Sequence, residues 1–259
     1  MAVVGSGMMS DIALITGGAS GIGLASAEAL AKEGWTIVIA DLSALAAEDA
    51  AKSLDGKGHR GFAVDVADEK AVIALFDAVE SDIGSVRLLL TCAGMMVFPP
   101  GGSRPSIIAT SGDDWDRTYD VNAKGTFLFI REYLRHRQRK PIKKGRIITI
   151  SSAAAQIGGY NGSCAYISSK GAVLALTKAA AREAAPDITV NTISPGTVET
   201  PLLRRAMPRS ADAAYLERVP LKRLAQPEEL AACVMFLVSP GADYITGACL
   251  DVNGGFRMQ

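Results

Sequence analysis

Tyr166 and Lys170 stand four residues apart in Tyr166-Ile-Ser-Ser-Lys170, a spacing that puts both side chains on one face of a helix. An ammonium beside a phenol changes its acidity. A unit positive charge about 4 Å away, at an effective dielectric of about 20, favours the phenolate by roughly 4 kcal/mol, or about 3 pKa units. A phenol placed this way exchanges protons near neutral pH. Ser152 closes the apolar, β-branched run that begins at Arg146; a strand there delivers a hydroxyl to the same pocket, so that two O–H groups can grip one carbonyl oxygen. Tyr and Lys at helical spacing also form plain surface pairs, with the Lys stem lying along the ring, and the rest of the chain has to decide between the two.

The elements that would position these groups alternate in type. Ile12 to Thr16 reads as a short buried strand, followed by the glycine turn Gly17-Gly-Ala-Ser20-Gly21-Ile22-Gly23 and a helical run from Leu24 to Glu33. Glycines in such a turn let the backbone approach a pyrophosphate set against the helix N-terminus. The next strand, Trp35 to Ala40, runs into Asp41 and Leu42, and an acid about 20 residues beyond the turn suits a ribose hydroxyl; the competing role for Asp41 is a cap on the following helix. Further strands are expected at Gly61–Val64, Arg87–Thr91, Arg146–Ser152, Thr189–Ser194 and Cys249–Val252, with Pro195-Gly196 stopping the sixth. Helices are expected at Ser43–Leu54, from an N-cap at Asp68 through Glu80, from Asp114 to His136 with an interruption near Asn122, from Tyr166 to Ala184, and from Glu228 to Leu237. Strands separated by helices pair in parallel through right-handed crossovers, with helices on both sheet faces. A Pro- and Gly-rich stretch, residues 95–113, is long enough for a functional loop.

Composition narrows the function. The 259 residues balance 27 Lys and Arg against 27 Asp and Glu, and 49% of them are hydrophobic, enough for one large core. The expected organisation is a loose leader, residues 1–10, and one domain, residues 11–259. No net charge draws the chain to nucleic acid or an anionic membrane. The basic group Arg131, Arg135, Arg137, Arg139, Lys140, Lys143 and Lys144 reads as a solvated helix end complementing its dipole. Cys92, Cys164, Cys233 and Cys249 lack metal spacing, so neither a metal site nor a disulfide is expected. Without a signal-like start or a run of about 20 apolar residues, the chain reads as cytoplasmic.

Taken in order, these motifs resemble the short-chain dehydrogenase/reductase family, in its compact branch, from Ile12 to Phe256. Thr16-Gly17-x-x-x-Gly21-x-Gly23 is similar to its cofactor turn, Asp65-Val66 to its adenine contact, and Asn122, Ser152, Tyr166 and Lys170 to its catalytic set. Pro195, Gly196, Val198 and Thr200 are similar to its nicotinamide segment. The resemblance implies a Rossmann-like, doubly wound parallel sheet of about seven strands. It also implies hydride transfer with Tyr166 as general acid/base, Lys170 lowering its pKa and holding the nicotinamide ribose, Ser152 polarising the oxygen, and Asn122 supporting a water relay. NAD is expected over NADP, since Ser20, Leu42 and Ser43 stand where phosphate-binding relatives place Arg or Lys. A homotetramer is implied through the helices of Asn122 and Tyr166. One departure is Thr91-Cys92-Ala93-Gly94 where the family has Asn-Asn-Ala-Gly: Thr91 is expected to bond a neighbouring strand, and Cys92 to leave strand support in doubt. Gln156, Tyr160 and Cys164 are expected on the substrate side, with Leu202, Leu203 and Tyr215 closing as a lid. The expected reaction is NAD-dependent oxidation of a secondary alcohol or polyol, or its reversal. The alternatives are a carbonyl reductase of 3-oxoacyl type and a non-catalytic NAD-binding regulator.

Overall fold

The computed structural model describes residues 11–97, 105–159 and 162–258. Seven strands form one sheet: β1 Ile12–Thr16, β2 Thr36–Asp41, β3 Arg60–Ala63, β4 Val86–Thr91, β5 Gly145–Ile150, β6 Ile188–Pro195 and β7 Cys249–Val252. Their order is β3-β2-β1-β4-β5-β6-β7, and every pairing is parallel. The order reverses between β1 and β4, and in open sheets of this kind the crevice beyond the strand carboxyl ends at that point is where ligands sit.

The helices are α1 Gly21–Lys32, α2 Ala44–Ser53, α3 Glu69–Asp82, α4 Gly112–Tyr119, α5 Gly125–Arg139, α6 Ala153–Ile157, α7 Cys164–Ala184, α8 Pro201–Ala206, α9 Asp212–Leu216 and α10 Pro227–Val238. Because both faces of the sheet are covered, its central strands β1, β2, β4 and β5 read as mainly apolar runs. Leu14, Val38, Leu89 and Ile147 pack under α3, α5 and α7. Ala13, Ile15, Ile39, Leu90 and Ile148 pack under α1, α2 and α10.

Local chemistry sets the boundaries. Asp68 caps α3, accepting from the Lys70 and Ala71 amides at 2.9 and 3.3 Å, and Ser43 caps α2 through the Ala46 amide at 3.3 Å. Asp41 is therefore not the cap. The interruption near Asn122 is a π turn, Asp120–Lys124, joining α4 to α5, the kind of insertion that clusters at functional sites. Helix α4 starts at Gly112, two residues before the expected Asp114, because Ser111 accepts from the Asp114 amide at 3.1 Å. Strand β6 runs through Pro195, whose register partner is Val252 on β7; a proline costs a ladder bond only on its own N–H side.

In the basic end of α5, Arg137 departs from expectation. Arg137 is only 4% exposed and pairs with the buried Glu80, while its guanidinium lies 5.6 Å from the Tyr133 ring centre. Arg131 and Arg135 pair with Glu132 at 2.9 and 2.8 Å. Arg135, Arg139, Lys140, Lys143 and Lys144 are exposed, as a solvated helix end requires. No helix of the described residues is long and apolar enough to cross a membrane, and no cluster of three or more His, Cys, Asp or Glu among them could hold a metal ion.

Candidate active site

A cavity of about 1140 Å3 opens at the carboxyl ends of the strands. Its floor is the turn between β1 and α1. Gly17 has φ +62°, and a Cβ there would lie 2.8 Å from the Ala93 backbone; one on Gly23 would lie 2.3 Å from the Gly17 carbonyl. Only glycine lets these three backbones close up under the cavity. Thr16 locks the same corner, its Oγ1 accepting from the Ala93 amide at 3.1 Å. Ser20, Gly21, Ile22 and Gly23 line the cavity at the start of α1, where a helix N-terminus favours an anion. At the tip of β2, Asp41 and Leu42 form its edge. One Asp41 oxygen accepts from the Ala19 amide at 3.2 Å, which pins the carboxylate beside the turn and leaves its second oxygen for a hydroxyl. Asp65, Val66, Cys92, Ala93 and Gly94 continue the wall, and Pro195, Gly196, Val198 and Thr200 face them.

The reactive side lies at the tip of β5. Ser152 follows the strand and starts α6, accepting from the Ala154 amide at 3.1 Å, and its hydroxyl is the group beside the Tyr166 phenol that favours the ionised form. Ser163 caps α7 by accepting from the Tyr166 amide at 3.2 Å, fixing Tyr166 in the first turn and Lys170 one turn later. Lys170 is 4% exposed, and its Nζ donates to the Ile150 carbonyl at 2.8 Å. Burial pulls its ammonium down to about 8, opposed by the neighbouring Cys92 thiol.

The expected charge coupling between these two side chains is not what governs the phenol. Burial raises the Tyr166 phenol above its ordinary range, and the group that lowers it is Ser152. The reason is desolvation: a closed apolar wall penalises the phenolate and the ammonium alike, and the ammonium spends its hydrogen bond on a carbonyl. Lys170 faces Gly94, where a Cβ would come within 3.3 Å of Nζ.

Asn122 stands behind the cavity and does not line it. Fully buried on the π turn, it accepts from the Met95 amide at 2.8 Å and donates to the Met95 carbonyl and to Ser169, each at 3.0 Å. Its side chain braces the chain leaving β4 against α7, and its backbone carbonyl accepts from Thr126 at 2.8 Å.

Residues 17–257 match the family described as enoyl-(acyl carrier protein) reductase. The chain is 36% identical over 256 residues to cis-4-hydroxycyclohexanecarboxylate dehydrogenase of Sinomonas cyclohexanicum, covering 98% of this chain and 99% of that protein. It is 37% identical to D-threitol dehydrogenase of Mycolicibacterium smegmatis, covering 96% and 93%. A crystal structure titled short-chain dehydrogenase/reductase, glucose/ribitol dehydrogenase, from Brucella melitensis superposes with a TM-score of 0.87 at 30% identity, covering 96% of this chain and 97% of that one. This chain belongs to the short-chain dehydrogenase/reductase family.

Membership makes the protein an enzyme of CH–OH chemistry and implies a nicotinamide cofactor. The glycine cradle and the pinned Asp41 carboxylate fit such a group. Two features of this member differ from expectation. The Thr91 hydroxyl is buried without a hydrogen-bond partner, so it bonds no neighbouring strand. Support comes instead from the backbone, with the Cys92 amide donating to the Thr16 carbonyl at 3.1 Å. Burial pushes the Cys92 thiol up to about 12, leaving it a protonated wall of the cavity.

Of the residues expected to face substrate, Leu202, Leu203 and Tyr215 line the cavity. Gln156 and Cys164 do not. The short helix α6 turns the Gln156 amide inward to Ser194, Cys249 and Asp251 at 3.1, 3.2 and 2.9 Å. Cys164 packs against Thr110, sulfur to hydroxyl oxygen at 3.4 Å. Tyr160, the leader and residues 98–104 of the long loop lie outside the described residues. Met95, Met96, Gly162, Met207 and Phe256 line the cavity without having been expected there. Gly162 carries the clearest signal, since a Cβ would lie 3.1 Å from the Tyr166 ring; a glycine that close to the reactive phenol leaves room for substrate.

Proposed function

We propose that this protein is an NAD-dependent dehydrogenase that oxidises a secondary alcohol to a ketone, reversibly. The observation that carries the reading is that Ser152, Tyr166 and Lys170 line the same cavity as the glycine turn and Asp41. Bound there, nicotinamide supplies the hydride acceptor. The chain's own groups do the proton chemistry. The Tyr166 oxygen takes the proton of the alcohol hydroxyl, and the Ser152 hydroxyl donates to the same substrate oxygen and holds it against the phenol. Lys170 places a positive charge next to the pocket while the proton moves, and Asn122 keeps the strand ends at their spacing. The Asp41 carboxylate accepts from a ribose 2′-hydroxyl, which favours NAD.

The named activities of the relatives fit a carbinol carbon within a ring or a short polyol. The apolar surfaces of Met96, Leu203, Met207 and Phe256 in the cavity favour the ring. The test is nicotinamide absorbance with purified protein, using cyclohexanols, C4 polyols and, in reverse, a 3-oxoacyl thioester, each with both cofactors. Turnover of the thioester alone would move the assignment to an acyl reductase. No absorbance change with any of them, despite measurable NAD binding, would leave the regulator reading in its place.

The protein is further proposed to act in the cytoplasm as a homotetramer of one-domain subunits. In support, a groove of about 470 Å3 between α5 and α7 exposes Phe127, Leu134 and Leu176, the helices expected to pair between subunits. Light scattering that finds only monomer at micromolar concentration would refute the assembly.

A further inference from the structure

Near the C-terminal end of the described residues, Phe256 reaches into the cavity. Phe256 and Tyr215 of α9 both line it, their rings stacked with centres 5.6 Å apart and planes at 29°. The Tyr215 hydroxyl is tied to Thr197, and the Leu221 amide donates to the Gly254 carbonyl at 3.1 Å. The lid and the tail are thus joined to each other by a ring pair and a backbone bond.

The tail is in turn fastened to the sheet. Arg257 donates to Asp251 on β7 at 2.5 Å, in a pair whose side chains are 24% and 17% exposed. The second Asp251 oxygen accepts from Gln156 at 2.9 Å, on the helix that Ser152 begins. Buried Asn253 closes the loop between them, donating to the Arg257 carbonyl and accepting from the Gly255 amide, both at 3.0 Å. Held at both ends, Phe256 has one place to sit.

We propose that the C-terminal tail is a specificity element of this site: Phe256 and Tyr215 form an aromatic wall that selects substrates with an apolar body beyond the carbinol carbon, and Arg257 is the positioning residue that holds the wall through Asp251. The inference rests on the reading above that the cavity takes a secondary alcohol. A short alcohol leaves the wall untouched, whereas a ring or a longer chain packs on it, and apolar contact of that size separates substrates by about tenfold or more. The ion pair acts through Phe256, without contact to substrate.

The experiment compares cyclohexanol with 2-propanol, with NAD, in the full chain and in Phe256→Ala, Arg257→Gln and Arg257→Lys. Expected is a fall of about tenfold in the cyclohexanol to 2-propanol ratio of kcat/KM for the first two variants, carried by KM, with NAD affinity by fluorescence titration held and Arg257→Lys partly restored. In parallel, trypsin cleavage at the lid arginines Arg205 and Arg209 is expected to quicken several-fold in Arg257→Gln, because the lid loses its fastening. An unchanged substrate ratio together with unchanged lid cleavage overturns the proposal. Wild-type protein that oxidises neither alcohol defeats the activity assignment, and the cleavage rates then decide the tail-to-lid coupling by themselves.

Discussion

The proposed preference for NAD rests on one carboxylate, and its size can be worked out. A 2′-phosphate of charge about −2 placed about 5 Å from the Asp41 carboxylate is repelled by roughly 7 kcal/mol at an effective dielectric of about 20, and by about 2 kcal/mol in water. Asp41 is partly exposed at the cavity edge, so the watery limit is the better guide, and salt lowers it further. Replacing the ribose hydroxyl also forfeits a hydrogen bond to a charged acceptor, about 1.5–3 kcal/mol. The carboxylate cannot swing clear, because the Ala19 amide holds one oxygen. Among the described residues the cations lining the cavity are Arg117, Lys170 and Arg205, and none belongs to the turn or to the tip of β2. The sum, about 3 kcal/mol, predicts NAD over NADP by about 100-fold in kcat/KM. Asp41→Asn removes the charge and keeps the shape: NADP is expected to gain about tenfold and NAD to lose a similar factor. Initial rates with both cofactors at a fixed alcohol concentration decide it. Equal or better efficiency of the wild type with NADP would refute the argument.

Four further outcomes are expected. Tyr166→Phe keeps the ring and removes only the proton, so turnover should fall by about 1000-fold or more with NAD still bound. In the wild type, burial raises the phenol above its ordinary range, so alcohol oxidation should climb with pH and not level off before pH ~10, while ketone reduction falls only above that value; a flat profile would contradict Tyr166 as the base. Lys170 drops from 10.5 to about 8, so between those values the folded chain binds fewer protons than the unfolded one and stability grows as pH rises through that window. Below it the buried ammonium costs up to about 3 kcal/mol, partly returned by the Ile150 hydrogen bond. Lys170→Met should therefore raise Tm at pH 7 by about 3–5 °C while turnover collapses, and a lowered Tm would sink the reasoning. Thr91→Val deletes a buried hydroxyl that has no partner, and denaturant unfolding should show a gain of about 1 kcal/mol.

Much of the fold was legible because its signals are local. The Asp68 cap, the apolar strands and the break near Asn122 each show within a few residues, and the glycine turn followed by Asp41 brought both ends of one cavity into view. The misreadings share a cause in distance along the chain. Arg137 looked like a solvated cation because its partner Glu80 lies 57 residues away. Gln156 looked like a substrate contact because its position was judged from Tyr166 nearby, and its amide was claimed by Asp251, 95 residues on. Phe256 carried no periodic signal at all, and its place depends on the Arg257–Asp251 pair and on the positive-φ turn at Gly254 and Gly255.

The Tyr166–Lys170 spacing shows where sequence reasoning stops. The spacing determines that the two groups share a helix face; it does not determine how much water they keep. Transfer into a closed wall works against both charged forms, raising the phenol and lowering the ammonium, so the two move toward mutual neutrality rather than toward an ion pair. What remains available to favour the phenolate is the hydroxyl of Ser152. In the proposed reaction, that places the catalytic demand on hydrogen bonding at the substrate oxygen by Ser152 and Tyr166. It also makes the polarity of the wall, Cys92 included, a determinant of rate. A group at position 92 that hydrogen-bonds an ammonium would ease its burial and raise the pH up to which Lys170 stays charged.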